Sequence, residues 1–210
     1  MSARVRVPRF GRTERALHWA HATAFLGLLA TGLVLYLPSL AAAVGRRPLV
    51  KEVHLLTAVA WVAALATIVA LGDRRALRAT LRELDRFDAD DLRWLRGRRA
   101  PQGRFNAGQK LNAALTAAFA VLFAVSGTLL WLGERDTRFR WASTILLHDG
   151  LALVSLVLLV GHLYLAVINP RTRHALRGMT LGTVDERWAR EHHPKWPAVA
   201  DLPEERTPSA

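Results

Sequence analysis

The sequence contains no cysteine among its 210 residues. Without a thiol the chain cannot form a disulfide, ligate an iron–sulfur cluster or hold a prosthetic group through thioethers. Any iron–sulfur centre that works with this protein must therefore belong to a partner. The sequence also lacks a long-period repeat, a low-complexity tract, a catalytic triad, a phosphate-binding loop and paired acid–base carboxylates, so no motif points to a catalytic chemistry.

Four long stretches lack Lys and Arg, although 22% of all residues are charged. They cover residues 16–40, 53–71, 111–132 and 141–168. A helix of about 20 apolar residues crosses a hydrocarbon layer of about 30 Å, whereas a soluble domain interrupts its apolar runs every few residues. The pattern predicts an all-α integral membrane four-helix bundle within residues 1–170, followed by a tail, 171–210.

The basic residues, which give a net charge of +12, are concentrated in alternate segments between the apolar stretches. The N-terminal segment, the loop Asp73–Lys110 and the tail together hold 23 Lys and Arg, against 6 in the other two loops. Because the more basic loops of membrane proteins stay in the cytoplasm, we expect a multi-pass protein of the bacterial cytoplasmic membrane with both termini inside. Basic residues that flank apolar spans do not indicate nucleic-acid binding.

Two segments outside the predicted spans need interpretation. Residues 75–99 carry Leu77, Leu81 and Leu84 at helical spacing beside many Arg, which favours an amphipathic helix on the cytoplasmic membrane surface. The alternative is a solvated loop with some helical content. The N-terminus superficially resembles a signal peptide, but its apolar run is too long and contains His18 and His21, so we expect this helix to be retained.

Histidines are unusually frequent inside the predicted spans. Five of the eight lie there: His18, His21, His54, His148 and His162. An ionisable residue inside a bilayer is costly and indicates a functional site. His162 follows His148 by 14 residues, which places it about 21 Å along the helix and on nearly the same face. His54 and His148 then share the outer depth, and His162 shares the inner depth with His18 or His21.

Two imidazoles from different helices at each of two depths favour two haem b groups, since each imidazole offers one neutral nitrogen to an axial position of the iron. A structural zinc site, the rival interpretation, normally needs four convergent ligands. Small residues that could make room for a macrocycle, or serve ordinary helix packing, are Gly27, Gly32, Ala58, Gly127, Gly150 and Gly161. Spacing alone does not choose between His18 and His21.

Several short segments carry a family resemblance over most of the chain. They are Glu14–Trp19, Tyr36–Leu40, Val53–His54, Asn106–Lys110 and Trp188–Trp196, together with the spacing of His148 and His162. A His-Trp pair on an apolar helix is common to many cytochrome b proteins. The Asn-Ala-Gly-Gln-Lys segment combined with the His-His-Pro-Lys-Trp tail is more specific, and with it the sequence resembles the cytochrome b556, or gamma, subunit of membrane-bound formate dehydrogenase.

The resemblance implies that His18, His54, His148 and His162 are the axial ligands of two haem irons, in the pairs His18/His162 and His54/His148. His21 would then serve packing or hydrogen bonding. It further implies that formate is oxidised on a molybdenum or tungsten alpha subunit and not by this chain. Electrons would arrive through an iron–sulfur beta subunit, cross the outer and inner haem, and reduce menaquinone or ubiquinone in anaerobic respiration, while this chain anchors the complex. A higher oligomer is compatible with this arrangement.

The segment before the third span is a candidate quinone site at the cytoplasmic end. Asn106, Gly108 and Gln109, with help from His162, would offer amide or backbone N–H donors to quinone carbonyls near water. The alternative is that Asn106 only caps the helix.

Other functions share parts of this pattern. A cytochrome b subunit of a nickel–iron hydrogenase or thiosulfate reductase would have the same architecture and the same two-haem arrangement. A small transporter could use intramembrane His as a proton relay, but it would purify without haem. A passive membrane anchor would not need buried histidines.

Overall fold

The computed structural model describes residues 5–202, and these are mostly helical. Four helices are long and apolar enough to cross a membrane. They are α1 (Arg12–Tyr36), α3 (Arg47–Leu71), α6 (Ala107–Gly133) and α7 (Ala142–Leu163), the last of which continues as a π-helix over Tyr164–Ile168; the short helix α2 (Pro38–Val44) follows α1. The predicted four-helix membrane fold is thereby confirmed.

The bounds of the spans differ from those predicted. The predicted span 16–40 is divided, because α1 ends at Tyr36 and α2 begins at Pro38. Leu37 between them is extended, with φ −94° and ψ 113°, since a proline disfavours the helical conformation of the residue before it. The other helices cover 47–71, 107–133 and 142–168 instead of 53–71, 111–132 and 141–168. The first turns of α3 and α6 contain polar residues and lie outside the apolar runs from which these spans were predicted.

The spanning helices pack as two antiparallel hairpins, α1 with α3 and α6 with α7, and the hairpins approach each other most closely where α1 meets α7. Residues 5–15, 72–110 and 169–202 lie together at what we call the Arg-rich end. Residues 37–52 and 133–142 form the short-loop end, where Lys51 Nζ lies 2.5 Å from Glu134 Oε2. Both ends of the described chain therefore lie on one side of the bundle, and the cytoplasmic location of that side stays a prediction.

The loop between α3 and α6 contains two helices, α4 (Arg74–Asp85) and α5 (Ala89–Leu95). Asp73 is the N-cap of α4 and Asp88 is the N-cap of α5. Each side chain accepts hydrogen bonds from the first free backbone N–H groups of its helix. The inner side of α4 contacts the bundle, where Thr80 Oγ1 donates to Glu14. The predicted helical content of this loop is thus present, and its contact with the membrane surface stays a prediction.

The C-terminal segment folds against the N-terminus at the Arg-rich end. It contains α8 (Leu176–Leu181), α9 (Glu186–His192) and α10 (Pro197–Ala200), with a 3-10 turn over Arg173–Ala175. Strand β2 (Thr183–Asp185) pairs antiparallel with β1 (Arg6–Pro8), a sheet that the helical prediction did not include. Their side chains join one hydrophobic cluster, formed by Val7, Val184, Trp188, Ala189, Trp196 and Val199. The predicted division at residue 170 stays a prediction, and the tail shares its core with β1.

Candidate functional site

The structure brings His54 on α3 opposite His148 on α7, towards the short-loop end of the bundle. The ring centroids are 6.4 Å apart and the ring planes are inclined by 69°. The pair joins the two helical hairpins. We refer to it as the outer pair.

A threonine hydroxyl fixes the tautomer of His54. Thr31 Oγ1 lies 2.8 Å from His54 Nδ1 and 2.8 Å from the carbonyl oxygen of Gly27. A hydroxyl has one hydrogen, which it donates to the carbonyl, so its oxygen accepts a hydrogen bond from Nδ1–H. The lone pair of the imidazole then lies on Nε2, which is the arrangement of a metal-ligating histidine held by an outer partner.

His148 is held in the same way within the second hairpin, α6 with α7. Ser126 Oγ on α6 donates to the carbonyl oxygen of Leu122 at 2.7 Å and lies 2.8 Å from His148 Nδ1. A glycine follows each hydroxyl residue: an added Cβ would lie 3.6 Å from His54 Cε1 at Gly32 and 3.5 Å from His148 Cε1 at Gly127. The two hairpins therefore repeat one local design, a hydroxyl residue and a glycine on one helix around a histidine on its neighbour.

The inner pair consists of His18 on α1 and His162 on α7, towards the Arg-rich end. The ring centroids are 6.2 Å apart and the planes are inclined by 54°. Among the described residues, neither imidazole has a hydrogen-bond partner. Trp19 packs edge-on against His18, at 5.3 Å, and its indole N–H donates to the carbonyl oxygen of Met179 at 3.0 Å.

The separation within each pair suits one metal ion between two imidazoles. An imidazole nitrogen binds a transition metal at about 2.0–2.1 Å, and with roughly 1.1 Å from that nitrogen to the ring centre, two opposed rings have centroids about 6.3 Å apart. A direct hydrogen bond of about 2.9 Å between two ring nitrogens would bring the centroids to about 5.1 Å. The observed 6.2 and 6.4 Å therefore fit haem iron with two axial imidazoles.

Among the described residues, no third metal-ligating side chain accompanies either pair. Within residues 5–202, no three His, Asp or Glu side chains gather in a way that could hold a metal ion. This argues against a structural zinc site, which normally uses four protein ligands. Two ligands at each of two levels fit haem, because the porphyrin nitrogens complete the coordination.

His21, the competing candidate in α1, does not face a second histidine. Its ring stacks on Phe25, with centroids 5.8 Å apart, and is tilted against Trp61 at 5.6 Å. Phe25 in turn contacts Phe123, and Phe123 contacts His148 at 5.3 Å. His21 thus belongs to an aromatic cluster that reaches from α1 to His148, which agrees with the packing role implied by the resemblance.

The candidate quinone residues form the start of α6. Asn106 Oδ1 accepts a hydrogen bond from the backbone N–H of Gln109 at 2.9 Å, and Gln109 Oε1 accepts one from the backbone N–H of Asn106 at 3.1 Å. This reciprocal capping box is the capping role weighed above as the alternative. Within the part of the chain that the structure describes, the two amide nitrogens have no partner, so a cap and a donor role are compatible.

Gly108 lies at a close approach of α5. A Cβ at this position would lie 3.0 Å from Trp94 Cη2. The glycine therefore allows the indole to cover the first turn of α6. This contact explains the glycine without a ligand, although it also places an aromatic surface beside the amide groups.

Two residues that the sequence interpretation did not assign hold this region together. His193 is 2% exposed, and its Nδ1–H donates to the carbonyl oxygen of Gly103 at 2.6 Å. Its Nε2 consequently accepts, and it does so from Arg9 Nη2 at 3.2 Å. Burial, and secondly the positive charge of Arg9, lower the pKa of His193 to about 3.

Arg9 links this histidine to the candidate quinone residues. Its Nη2 also donates to the carbonyl oxygen of Arg104 at 2.8 Å and to Gln109 Oε1 at 3.4 Å, and its guanidinium lies over the ring of Trp188. Burial, and secondly the charge of Arg104, lower the pKa of Arg9 to about 10. The only sequence signal for this cluster was the His-His-Pro-Lys-Trp motif, whose structural role is to anchor the loop before α6.

Comparison with known proteins gives a consistent result. Residues 9–182 match the family described as prokaryotic cytochrome b561. The chain is 27% identical, over 93% of its length and 94% of the relative's, to the cytochrome b556(fdo) subunit of formate dehydrogenase from Escherichia coli K12. It is 24% identical to the formate dehydrogenase cytochrome b556 subunit of Haemophilus influenzae, over 91% of this chain and 82% of the relative. The nitrate-inducible cytochrome b556(Fdn) subunit of Escherichia coli K12 is 27% identical over 46% of this chain and 45% of its own.

Proposed function

This chain belongs to the prokaryotic cytochrome b561 family, and we propose that within it the protein is the membrane cytochrome b subunit of a formate dehydrogenase. In this role it receives electrons from an iron–sulfur subunit and passes them through two haem b groups to quinone. The observation that carries the proposal is the presence of two cross-hairpin histidine pairs with centroid separations of 6.2 and 6.4 Å.

The four histidines of these pairs are the proposed axial ligands. His54 and His148 hold the outer haem iron, and His18 and His162 the inner one. Each haem, when bound, supplies a one-electron iron centre. The protein supplies neutral imidazole nitrogens, an apolar surround and, at the outer pair, hydroxyl groups that fix the ring orientation.

The proposal of formate as the electron source is supported by the relatives named above. Two of them are formate dehydrogenase subunits that align over more than nine-tenths of this chain. The chain has no cysteine and no molybdenum-binding motif, so the oxidation of formate and the iron–sulfur relay belong to partner subunits. A formate pulse tests this in membranes that contain the whole complex: haem b should be reduced by formate. Reduction by hydrogen instead of formate would assign the chain to a hydrogenase.

The proposed quinone site lies at the start of α6. Asn106 and Gln109 offer amide nitrogens, Gly108 lies beneath the indole of Trp94, and His162 belongs to the inner pair at the same end of the bundle. Quinone reduction takes up protons as well as electrons, so a site at the water-facing end of the bundle is favourable. Gln109 Oε1 accepts from the backbone N–H of Asn106 at 3.1 Å and lies 3.4 Å from Arg9 Nη2, which leaves the amide nitrogen for a ligand.

A substitution that keeps the cap tests this site. Serine caps helices about as well as asparagine but lacks the amide donor. Asn106→Ser should therefore leave both haem spectra intact and slow quinone reduction by about threefold to tenfold, the effect of one lost hydrogen bond. Asn112→Ser on the same helix is the matched control. If quinone reduction is normal in Asn106→Ser but slow in Asn106→Ala, Asn106 serves only as the cap of α6 and does not bind quinone.

The orientation in the membrane is the remaining part of the proposal. The 23-to-6 distribution of Lys and Arg supports a cytoplasmic Arg-rich end. Electrons would then move inward from an external partner to a quinone protonated from the cytoplasm, which builds a membrane potential. Reporter fusions after Lys195 and after Arg138 should report opposite sides, with Lys195 inside. The same side for both would contradict the four-span topology.

A further inference from the structure

A row of arginines follows the outer side of α4. Arg74, Arg78, Arg82 and Arg86 succeed one another at four-residue intervals, with Arg75 beside the first, and all five are exposed. Residues four apart are neighbours on a helix surface, so Arg74, Arg78 and Arg82 lie on one side of α4, and Arg86 follows directly after its end. Arg74 Nη2 also donates to the carbonyl oxygen of Ala70 at 2.8 Å. We call the five residues the arginine stripe. The opposite side of α4 packs on the bundle and is partly buried.

The stability of the helix itself does not explain this stripe. Like charges at four-residue spacing destabilise a helix. Arg74 and Arg75 also lie in the first turn, at the positive end of the helix dipole, where acidic residues are favoured. An external anion that neutralises the stripe would remove both unfavourable effects.

Four of the acidic residues nearby, Glu83, Asp88, Asp90 and Asp91, are engaged with other cations. Glu83 pairs with Arg104 at 2.9 Å, and Asp91 pairs with Lys110 at 2.6 Å. Lys195 binds both Asp88 and Asp90, at 2.5 and 3.0 Å. Among the described residues, no carboxylate lies within ion-pair distance of any of the five arginines of the stripe. Two of these, Arg82 and Arg86, line one cleft together with Ala79 and Glu83, whose carboxylate pairs with Arg104.

The position of α4 places the stripe at the edge of the membrane. Helix α3 ends at Leu71 and α4 begins at Arg74. The backbone N–H of Asp73 donates to Thr13 Oγ1 at 3.0 Å, and a Cβ on Gly72 would lie 2.3 Å from Thr13 Cγ2. The start of α4 is thus held level with the first turn of α1, just outside the apolar part of the spans, which is where the headgroups of a bilayer crossed by these helices would lie.

We propose that the arginine stripe of α4 binds the phosphate groups of acidic phospholipids in the adjacent leaflet. A guanidinium group suits phosphate oxygens because it can donate two parallel hydrogen bonds. Exposed Leu81 and Phe87 adjoin the stripe and can contact the acyl region below the headgroups. The proposal does not depend on the electron donor, the haems or the quinone site.

Spin-labelled lipids test the proposal in the full chain reconstituted in phosphatidylcholine nanodiscs. Labelled phosphatidylglycerol should associate with the protein more strongly than labelled phosphatidylcholine at low salt, since each basic residue near an anionic surface contributes about a fivefold effect. Added salt should weaken the preference. The triple variant Arg78→Gln, Arg82→Gln, Arg86→Gln should lose at least about half of the free energy of this preference, because three of the five arginines are removed, whereas the corresponding lysine variant should keep most of it.

A matched control changes three arginines at the short-loop end: Arg46→Gln, Arg138→Gln and Arg140→Gln. This variant should keep the preference, and the reporter fusions should show unchanged topology in all variants. Equal preference in the wild type and the α4 glutamine variant would overturn the proposal and leave the arginines as topology signals. Competition by inorganic phosphate beyond that of sodium chloride at equal ionic strength would replace the lipid with a free anion. Loss of a co-purifying subunit, without any lipid preference, would assign the stripe to a protein partner.

Discussion

The two histidine pairs have similar separations but different surroundings. At the outer pair, Thr31 and Ser126 each accept a hydrogen bond from an imidazole Nδ1–H. At the inner pair, the described residues offer His18 and His162 no hydrogen bond. Instead, Arg15 and Trp19, on either side of His18 in the sequence, donate hydrogen bonds to the C-terminal segment.

These ties come from α8. Arg15 Nη1 donates to the carbonyl oxygen of Thr180 at 2.9 Å, and Trp19 Nε1 donates to that of Met179 at 3.0 Å. The outer site is therefore built by the spanning helices alone, whereas the inner site also depends on segments outside the membrane. We therefore expect changes in the segments outside the membrane to affect the inner site, next to the proposed quinone position, and to leave the outer site intact.

Removal of single ligands is the most severe test of this comparison. His148→Ala should abolish the outer haem and His162→Ala the inner one, because each removes one of the two proposed protein ligands. Each variant should retain the spectrum of the other haem. His21→Ala is the control and should retain both. If His21→Ala removes a haem while His18→Ala does not, the ligand assignment in α1 is wrong.

Removal of the hydroxyl groups should weaken only the outer site. Thr31→Val and Ser126→Ala should lower the affinity for the outer haem by about 10-fold to 100-fold, the usual effect of losing a hydrogen-bond partner of a ligand. Haem transfer to an excess of apomyoglobin measures the effect. Thr57→Val is the control, since Thr57 Oγ1 donates only to the carbonyl oxygen of Val53. An equal decrease in the affinity for both haems would contradict the claim that the hydroxyl groups support only the outer site.

Acid should affect the inner site first, because His193 belongs to the Arg-rich end. Its pKa is lowered from 6.5 to about 3 by burial and then by Arg9, so the unfolded chain binds more protons than the folded one between these values. Stability from this group is complete above pH 6.5 and declines as the pH falls towards 3. His193→Gln should shift the loss of the inner haem to lower pH in a spectral titration. His174→Gln, in the exposed tail, should not.

The smallest expected effect concerns the tie between α1 and α8. Trp19→Phe removes the indole hydrogen bond, which is worth about 1 kcal/mol. For a chain of this size that corresponds to a decrease of about 2–4 °C in the temperature at which the inner haem is lost. Trp131→Phe on α6 is the control. An equal decrease for the outer haem would show that the two sites are coupled as one unit.

The spans and the histidine pairs could be predicted because they depend on local pattern and on the alternation of helix direction. The four apolar runs without Lys or Arg indicate the spans. The 14 residues between His148 and His162 place these two histidines at different depths of the bundle. The break at Pro38 was visible in the sequence but was outweighed by the apolar residues on either side of it. Because Pro38 disfavours a helical conformation at Leu37, α1 ends just before it.

The partners of these histidines could not be predicted. Thr31 and Ser126 bond backward to the carbonyl of the preceding turn, as hydroxyl residues in membrane helices commonly do. Nothing in the sequence indicates that their oxygens also accept from an imidazole on another helix. The Arg9–His193 contact joins residues 184 positions apart, and no periodic pattern encodes such a distance.

The central claim is that each histidine pair holds one haem. The most direct measurement is the haem b content of the purified full chain, from the absorbance of its pyridine haemochrome, divided by protein determined by amino-acid analysis. We predict two haems per chain, with two components in a redox titration of the reduced-minus-oxidised spectrum. One haem, or none, in fully loaded and folded protein would contradict the claim.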